Sequence, residues 1–156
     1  MVDLNALSLR QQILMKSLES FRSLKPFGME AFILKHGKFY GESAMPAVGL
    51  PDLPKQCFMN CQRSILINPA YRYCEGVGLS EGLPIPVHHA WLTFNDQVID
   101  ATWARFASRT IYYGVTLTRE SVIDQLAKAS VYAPMLFKPH SQLERMIDGK
   151  TIREPV

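Results

Sequence analysis

The chain has 156 residues, of which 47% are hydrophobic and 20% charged, and a net charge of +3. These are the size and composition of one globular domain. The charge is too small and too scattered to indicate nucleic-acid binding, and no apolar stretch approaches the ~20 residues of a membrane span. An odd number of cysteines (3) and a first segment without the layout of a secretory signal predict a reducing, cytoplasmic location.

Hydrophobic periodicity and turn residues predict a single α+β domain over residues 1–156, with its core between about residues 27 and 130. The first helix is expected to end at Pro26 and Gly28, and a later one to be capped by Thr118. In order, the predicted elements are a helix (3–24), strands (30–35 and 38–41), a proline-rich loop (44–54), a helix (57–67), a strand (71–77), an extended loop (82–86), strands (88–94, 98–103 and 111–117) and helices (118–129 and 141–147).

Cys57, His89 and Asp100 supply the three groups of an activated-nucleophile site. In such a site a thiol attacks, an imidazole moves the proton and a carboxylate orients the ring. Cys57 stands at the predicted start of a helix, where unpaired N–H groups and the helix dipole stabilise a thiolate. Cys61, one turn later, and Cys74, inside a strand, are expected to be buried apolar side chains. The sequence therefore favours Cys57 as the nucleophile.

The two strands after the extended loop are expected to form a hairpin that brings the histidine to the aspartate. A two-residue turn at Asn95-Asp96 pairs Trp91 with Asp100 and His89 with Thr102. Asp100 then lies diagonal to His89 on the same face, within ~5–8 Å. This register also gathers an apolar face consisting of Ala90, Leu92, Phe94, Ile99, Ala101 and Trp103. An odd-length loop would divide that apolar set, so the pattern favours His89 over its neighbour.

Four more residues are candidates for binding the substrate or an oxyanion, and each has a structural alternative. Gln56 and Asn60 could donate amide hydrogens to the oxyanion, or serve as caps and solvated residues at the helix start. Trp91 could shield a thiolate–imidazolium pair or donate its indole N–H, or fill the core. Glu75 could bind a substrate amine, or form a structural ion pair.

A zinc site is the competing interpretation of the same residue types. Its candidate ligands are Cys57, Cys61, Cys74, His88 and His89. The Cys-x3-Cys spacing differs from the usual Cys-x2-Cys knuckle, and adjacent histidines on a strand point to opposite faces. We therefore expect no stoichiometric metal and no other cofactor.

The segment from residue 56 to 103 resembles the transglutaminase-like branch of the papain-like cysteine proteins. His89-Ala90-Trp91 and Asp100-Ala101-Thr102 follow the family's His-Ala-Trp and Asp-Pro-Thr runs, with alanine where proline is common. Lys55-Gln56 stand where the family often has small residues. The resemblance implies a papain-like fold in which an N-terminal nucleophile helix packs on an antiparallel β-sheet. It also implies a nucleophilic Cys57, with His89 as general base and acid and Asp100 as the orienting carboxylate.

These features predict thiol-dependent acyl transfer or amide hydrolysis, as in a protease, an amidase or a glutamine deamidase, with a peptide or protein amide as substrate. No nucleic-acid or membrane partner is expected. The alternative is a catalytically inactive module that keeps the fold and binds a peptide or protein.

Overall fold

The computed structural model describes residues 3–41, 49–104, 106 and 109–149. A 3-10 turn (Leu4–Ala6) precedes α1 (Leu9–Leu24), α2 (Met29–His36), β1 (Lys38–Tyr40), α3 (Cys57–Ile67), β2 (Arg72–Ser80), β3 (Val87–Phe94), β4 (Gln97–Ile99), β5 (Thr110–Leu117), α4 (Arg119–Ala129) and α5 (His140–Met146). Within these ranges no helix has both the length and the apolar character needed to cross a membrane. Residues 44–48 of the predicted loop lie outside the described part of the chain.

The strands form one antiparallel sheet in the order β1-β5-β2-β3-β4, and the predicted α+β class is confirmed. Because side chains alternate along a strand, β2, β3 and β5 send one set of residues to each face. The first set joins residues from helices α1 to α5 in the main core, which includes Leu14, Leu18, Phe32, Ile33, Ile65, Val77, Leu92, Tyr113, Val115, Val122 and Leu143. The second set contributes to a smaller cluster of Cys74, Trp91, Val98 and Tyr112.

The predicted hairpin of β3 and β4 is confirmed in its turn and register, but the predicted pairs Trp91–Asp100 and His89–Thr102 fall beyond the end of β4 and are not formed in the ladder. Phe94 pairs with Gln97, so the turn consists of Asn95-Asp96 alone. Both turn residues have positive φ, 48° and 62°, as a type I′ turn requires, and Asn and Asp tolerate this region better than most residues. The even turn length places His89 and Asp100 on the same face, as expected.

The N-terminal helix is divided in two, where the sequence predicted one helix from residue 3. Ser8 begins α1 with a capping box: its Oγ accepts the Gln11 N–H at 3.2 Å, and Gln11 Oε1 accepts the Ser8 N–H at 2.9 Å. The Ser-x-x-Gln pattern is itself a helix-start signal. The predicted single helix is therefore wrong in its first turn.

Residues 29–36 form helix α2, and the strand predicted over 30–35 is wrong. Its buried residues Met29, Phe32 and Ile33 have the i, i+3, i+4 spacing of a helix packed on a core. Glu30 in the first turn and basic residues in the last turn complement the helix dipole. A short apolar run such as 31–34 fits either type of element by pattern, and packing against α1 decides between them.

Strand β4 ends at Ile99, four residues before the predicted end at residue 103. Asp100 Oδ1 accepts the backbone N–H of Trp103 at 3.0 Å. Such a local side-chain bond turns the chain away from the sheet ladder. The predicted place of Trp103 on the apolar face is therefore wrong, and its ring lies against His89 on the other face.

Candidate active site

Cys57 is the first residue of α3, as predicted, and no side chain caps the start of this helix. The N-cap residue Gln56 is exposed and makes no capping bond, whereas Ser8 and Thr118 cap α1 and α4. An uncapped first turn leaves backbone N–H groups and the positive end of the dipole beside Cys57. This position suits negative charge on sulfur, or on an oxygen bound next to it.

His89 and Asp100 form the predicted contact. His89 Nε2 lies 2.7 Å from Asp100 Oδ2, and both residues are at most 2% exposed. The same carboxylate oxygen accepts the O–H of Tyr112 at 2.8 Å, while Oδ1 accepts the N–H of Trp103. Three donors thus hold the carboxylate of Asp100 in one orientation toward the ring.

Cys57 is the second side chain that acts on the His89 ring, through the charge and hydrogen-bonding capacity of its sulfur. Since Nε2 is bound to Asp100, the nitrogen left for the sulfur is Nδ1. Burial by itself lowers the pKa of His89, but the charge and hydrogen bond of Asp100, and then those of Cys57, raise it to about 9. The ring is therefore cationic at neutral pH, between a thiol and a carboxylate.

Two tryptophan rings lie near the His89 ring, at different distances. Trp103 stacks on His89 with ring centroids 3.6 Å apart and an interplanar angle of 9°. A side chain at Gly78 would come within 2.7 Å of the Trp103 ring, so glycine is needed there. Trp91, the candidate from the sequence, is fully buried with its ring centroid 6.4 Å from that of His89, and its Nε1 has no hydrogen-bond partner. Trp103 is the ring that directly covers His89.

The other two cysteines lie in settings that keep them neutral. Burial, and then the charge of Asp100, raises the pKa of Cys61 well above its ordinary value. Burial raises the pKa of Cys74 to about 11, although Thr116 contacts its sulfur at 3.2 Å. All three cysteines lie in the described part of the chain, and Cys57 is the one with an imidazolium partner.

Asn60 has a structural position in this site. Its side-chain oxygen accepts the N–H of Leu53 at 3.1 Å, and its nitrogen donates to the Leu53 carbonyl and to Thr102 Oγ1, each at 2.9 Å. Both amide hydrogens are therefore used, and the geometry does not support the expected oxyanion contact from Asn60. These bonds instead tie the start of α3 to the segment that follows Asp100.

Glu75, the expected partner of a substrate amine, is fully buried and binds protein groups. Its oxygens accept hydrogen bonds from Tyr73 Oη at 2.6 Å and from the N–H groups of Met135 and Leu136 at 2.9 and 3.0 Å. His88 Nε2 lies 2.8 Å from the same carboxylate. The geometry therefore favours the structural alternative, in which Glu75 fixes residues 135–136 against β2.

Replacing Glu75 with glutamine should destabilise the protein by about 3–5 kcal/mol, because an isosteric amide removes the charge and presents its own hydrogens to buried donors. The free energy of unfolding in urea measures this loss. Glu81→Gln is the matched control, since the Glu81–Arg109 ion pair is largely exposed and should contribute less than about 1 kcal/mol. Equal losses in the two variants would contradict the role given to Glu75.

The residues of the zinc interpretation do not converge. His88 Nε2 lies beside Glu75, and His89 Nε2 lies beside Asp100. In the parts of the chain that the structure describes, no three His, Cys, Asp or Glu side chains come together as metal ligands. Each of the two histidines has a carboxylate partner of its own.

Two members of the site were missed by reasoning from the sequence. Tyr112 lies on β5, and its contact with Asp100 depends on β5 pairing with β2, which the strand pattern of a single sequence does not fix. Trp103 follows from the turn that Asp100 begins. The signal available for it was an aspartate placed three residues before an aromatic residue, a spacing at which the carboxylate can accept a backbone N–H.

Comparison of the chain with protein-family models, with curated proteins and with solved structures gave no match.

Proposed function

We propose that the protein catalyses thiol-dependent acyl transfer or hydrolysis of a peptide or protein amide, with Cys57 as the nucleophile. The observation that supports this most strongly is the 2.7 Å contact of His89 Nε2 with Asp100 Oδ2, on a ring whose other charged neighbour is Cys57. A cationic ring next to sulfur favours the thiolate form, the reactive species in such enzymes. The proposal includes membership of the transglutaminase-like branch of the papain-like proteins.

In the proposed reaction, the Cys57 thiolate attacks the amide carbonyl carbon and the carbonyl electrons move to oxygen. Backbone N–H groups in the uncapped first turn of α3 stabilise that oxyanion. The His89 imidazolium gives its Nδ1 proton to the leaving nitrogen, the carbon–nitrogen bond breaks, and a thioester remains. Water or an amine then attacks the thioester while His89 takes back a proton, which releases the product and the thiolate. Asp100 keeps the other ring proton on Nε2 throughout.

The environments of the other thiols support Cys57 over Cys61. Cys61 is buried beside the negative charge of Asp100, which disfavours a thiolate there. Cys57 and Cys61 both pack in the main core, so their electrostatic settings, and not their burial, distinguish them. Cys57→Ala should therefore abolish activity and Cys61→Ala should keep it. The sequence suggested an exposed Cys57, but both thiols are buried, so each substitution should cost about 1 kcal/mol through a small cavity.

Trapping an acyl-enzyme tests the proposal. The protein is incubated with a library of peptide amides, quenched in acid and digested, and the adduct is located by mass spectrometry. We expect a thioester on Cys57 that persists in Cys61→Ala and is absent from Cys57→Ala. Adducts on Cys61, or none from any peptide, would contradict the proposed role of Cys57.

The second candidate function is a peptide-binding module without catalysis, and the burial of the site favours it. Cys57 is 7% exposed and His89 1%, so a substrate carbonyl reaches sulfur only if neighbouring groups move. A module of this kind would bind library peptides without forming an adduct, and Cys57→Ala would bind them as tightly as the wild-type protein.

A further inference from the structure

The hydroxyl of Tyr112 is bound to the carboxylate of the proposed catalytic group. It donates to Asp100 Oδ2 at 2.8 Å, and this is the oxygen that His89 Nε2 approaches at 2.7 Å. The tyrosine is fully buried. Burial, followed by the charge and hydrogen bond of Asp100, raises the pKa of Tyr112 far above its ordinary value, so the phenol stays protonated as a permanent donor.

Two donors on one carboxylate oxygen share its negative charge. The stronger the bond from the tyrosine, the less charge remains for the proton on His89. The other ionisable groups near His89 and Asp100 are Cys57 and Cys61 on α3 and Tyr112 on β5. Trp103 adds a stacked ring and a backbone N–H on the other carboxylate oxygen.

We propose that Tyr112 is a positioning residue that fixes the Asp100 carboxylate toward His89 and limits how strongly Asp100 stabilises the positive charge of the His89 imidazolium. The inference rests on the proposed function, in which the His89 imidazolium must give its Nδ1 proton to the leaving nitrogen. An imidazolium stabilised too strongly by Asp100 is a poor acid toward the leaving nitrogen. Tyr112 thereby keeps the Nδ1 proton of His89 available for transfer to the leaving nitrogen.

The neighbouring residue offers a matched control. Tyr113 is equally buried on the opposite face of β5, and its hydroxyl donates to the Gly37 carbonyl at 3.3 Å. Tyr113→Phe removes one buried hydroxyl from the same strand without touching Asp100. Its effect separates a general loss of packing or hydrogen bonding from an effect on the charge of His89.

The test is the titration of His89, followed by NMR with labelled histidine and assigned by its loss in His89→Gln. The wild-type ring should titrate at about 9. In Tyr112→Phe the midpoint should move upward by about half a unit to one unit, since Asp100 loses one of its three donors. Tyr113→Phe should leave the midpoint unchanged. Because Tyr112→Phe could unfold the protein, 3-fluorotyrosine at position 112, a stronger donor, provides a second variant and should move the midpoint downward.

The outcomes separate this inference from the proposed function. A wild-type His89 that titrates near 6.5 contradicts the ion pair with Cys57 and Asp100, irrespective of any tyrosine variant. A high wild-type midpoint that neither Tyr112→Phe nor fluorination changes overturns the role of Tyr112 and leaves the proposed function standing. Equal shifts in Tyr112→Phe and Tyr113→Phe also overturn it, because the effect would then belong to the strand and not to the bond with Asp100.

Discussion

Replacing Asp100 with asparagine should lower turnover by about 10³- to 10⁴-fold while the protein stays folded. The amide has one oxygen, and the N–H of Trp103 already occupies the corresponding position at Oδ1. Its NH₂ group then faces His89 Nε2. That nitrogen must accept a hydrogen bond from the amide, so it cannot carry a proton of its own. The remaining ring proton moves to Nδ1, facing Cys57, and the amide no longer stabilises an imidazolium. The measurement is kcat/KM on a peptide amide identified by trapping on Cys57.

Asp96→Asn is the matched control for this substitution. Asp96 is exposed in the β3–β4 turn with φ of 62°, a conformation that asparagine adopts readily. Turnover and the urea unfolding curve should both be unchanged in this variant. Asp100→Asn should stay folded but lose stability, because its amide removes a buried charge and places an NH₂ group opposite the Tyr112 hydroxyl. A decrease of less than tenfold in Asp100→Asn would show that Asp100 does not set the state of His89.

The sequence was most informative where local chemistry and spacing act together. The start of α3 at Cys57, the cap of α4 at Thr118 and the turn at Asn95-Asp96 all agree with the structure. At each of these places, turn or capping residues border a run with clear periodicity. The contact of His89 with Asp100 followed because an even turn and strand alternation together fix which residues share a face.

Other parts of the structure depend on packing that no local pattern specifies. The apolar run in α2 satisfies both strand and helix templates, and its contact with α1 selects the helix. Tyr112 reaches Asp100 because β5 lies beside β2, so that residues about a dozen positions apart meet across the sheet. The burial of Glu75 under residues 135–136 likewise joins segments about 60 residues apart. Such long-range contacts are decided by the whole fold.

Cys57 should keep its reactivity toward iodoacetamide in acid, because its partner His89 stays protonated at every pH below about 9. An ordinary thiol with a pKa of ~8.5 loses about tenfold in thiolate for each pH unit below that value, or roughly 300-fold by pH 6. Burial raises the pKa of Cys61 and of Cys74, so these two thiols are internal controls that should remain unmodified under the same conditions. The difference between Cys57 and the controls should therefore be greatest at low pH.

The rate of Cys57 alkylation as a function of pH, followed by mass spectrometry of the intact protein and its peptides, tests the thiolate–imidazolium pair most directly. The pair predicts a rate at Cys57 that changes by less than about threefold between pH 6 and pH 8.5, and a loss of that plateau in Asp100→Asn. A rate that falls about tenfold per pH unit below 8.5, with Cys57 no more reactive than Cys61, would contradict the proposed active site.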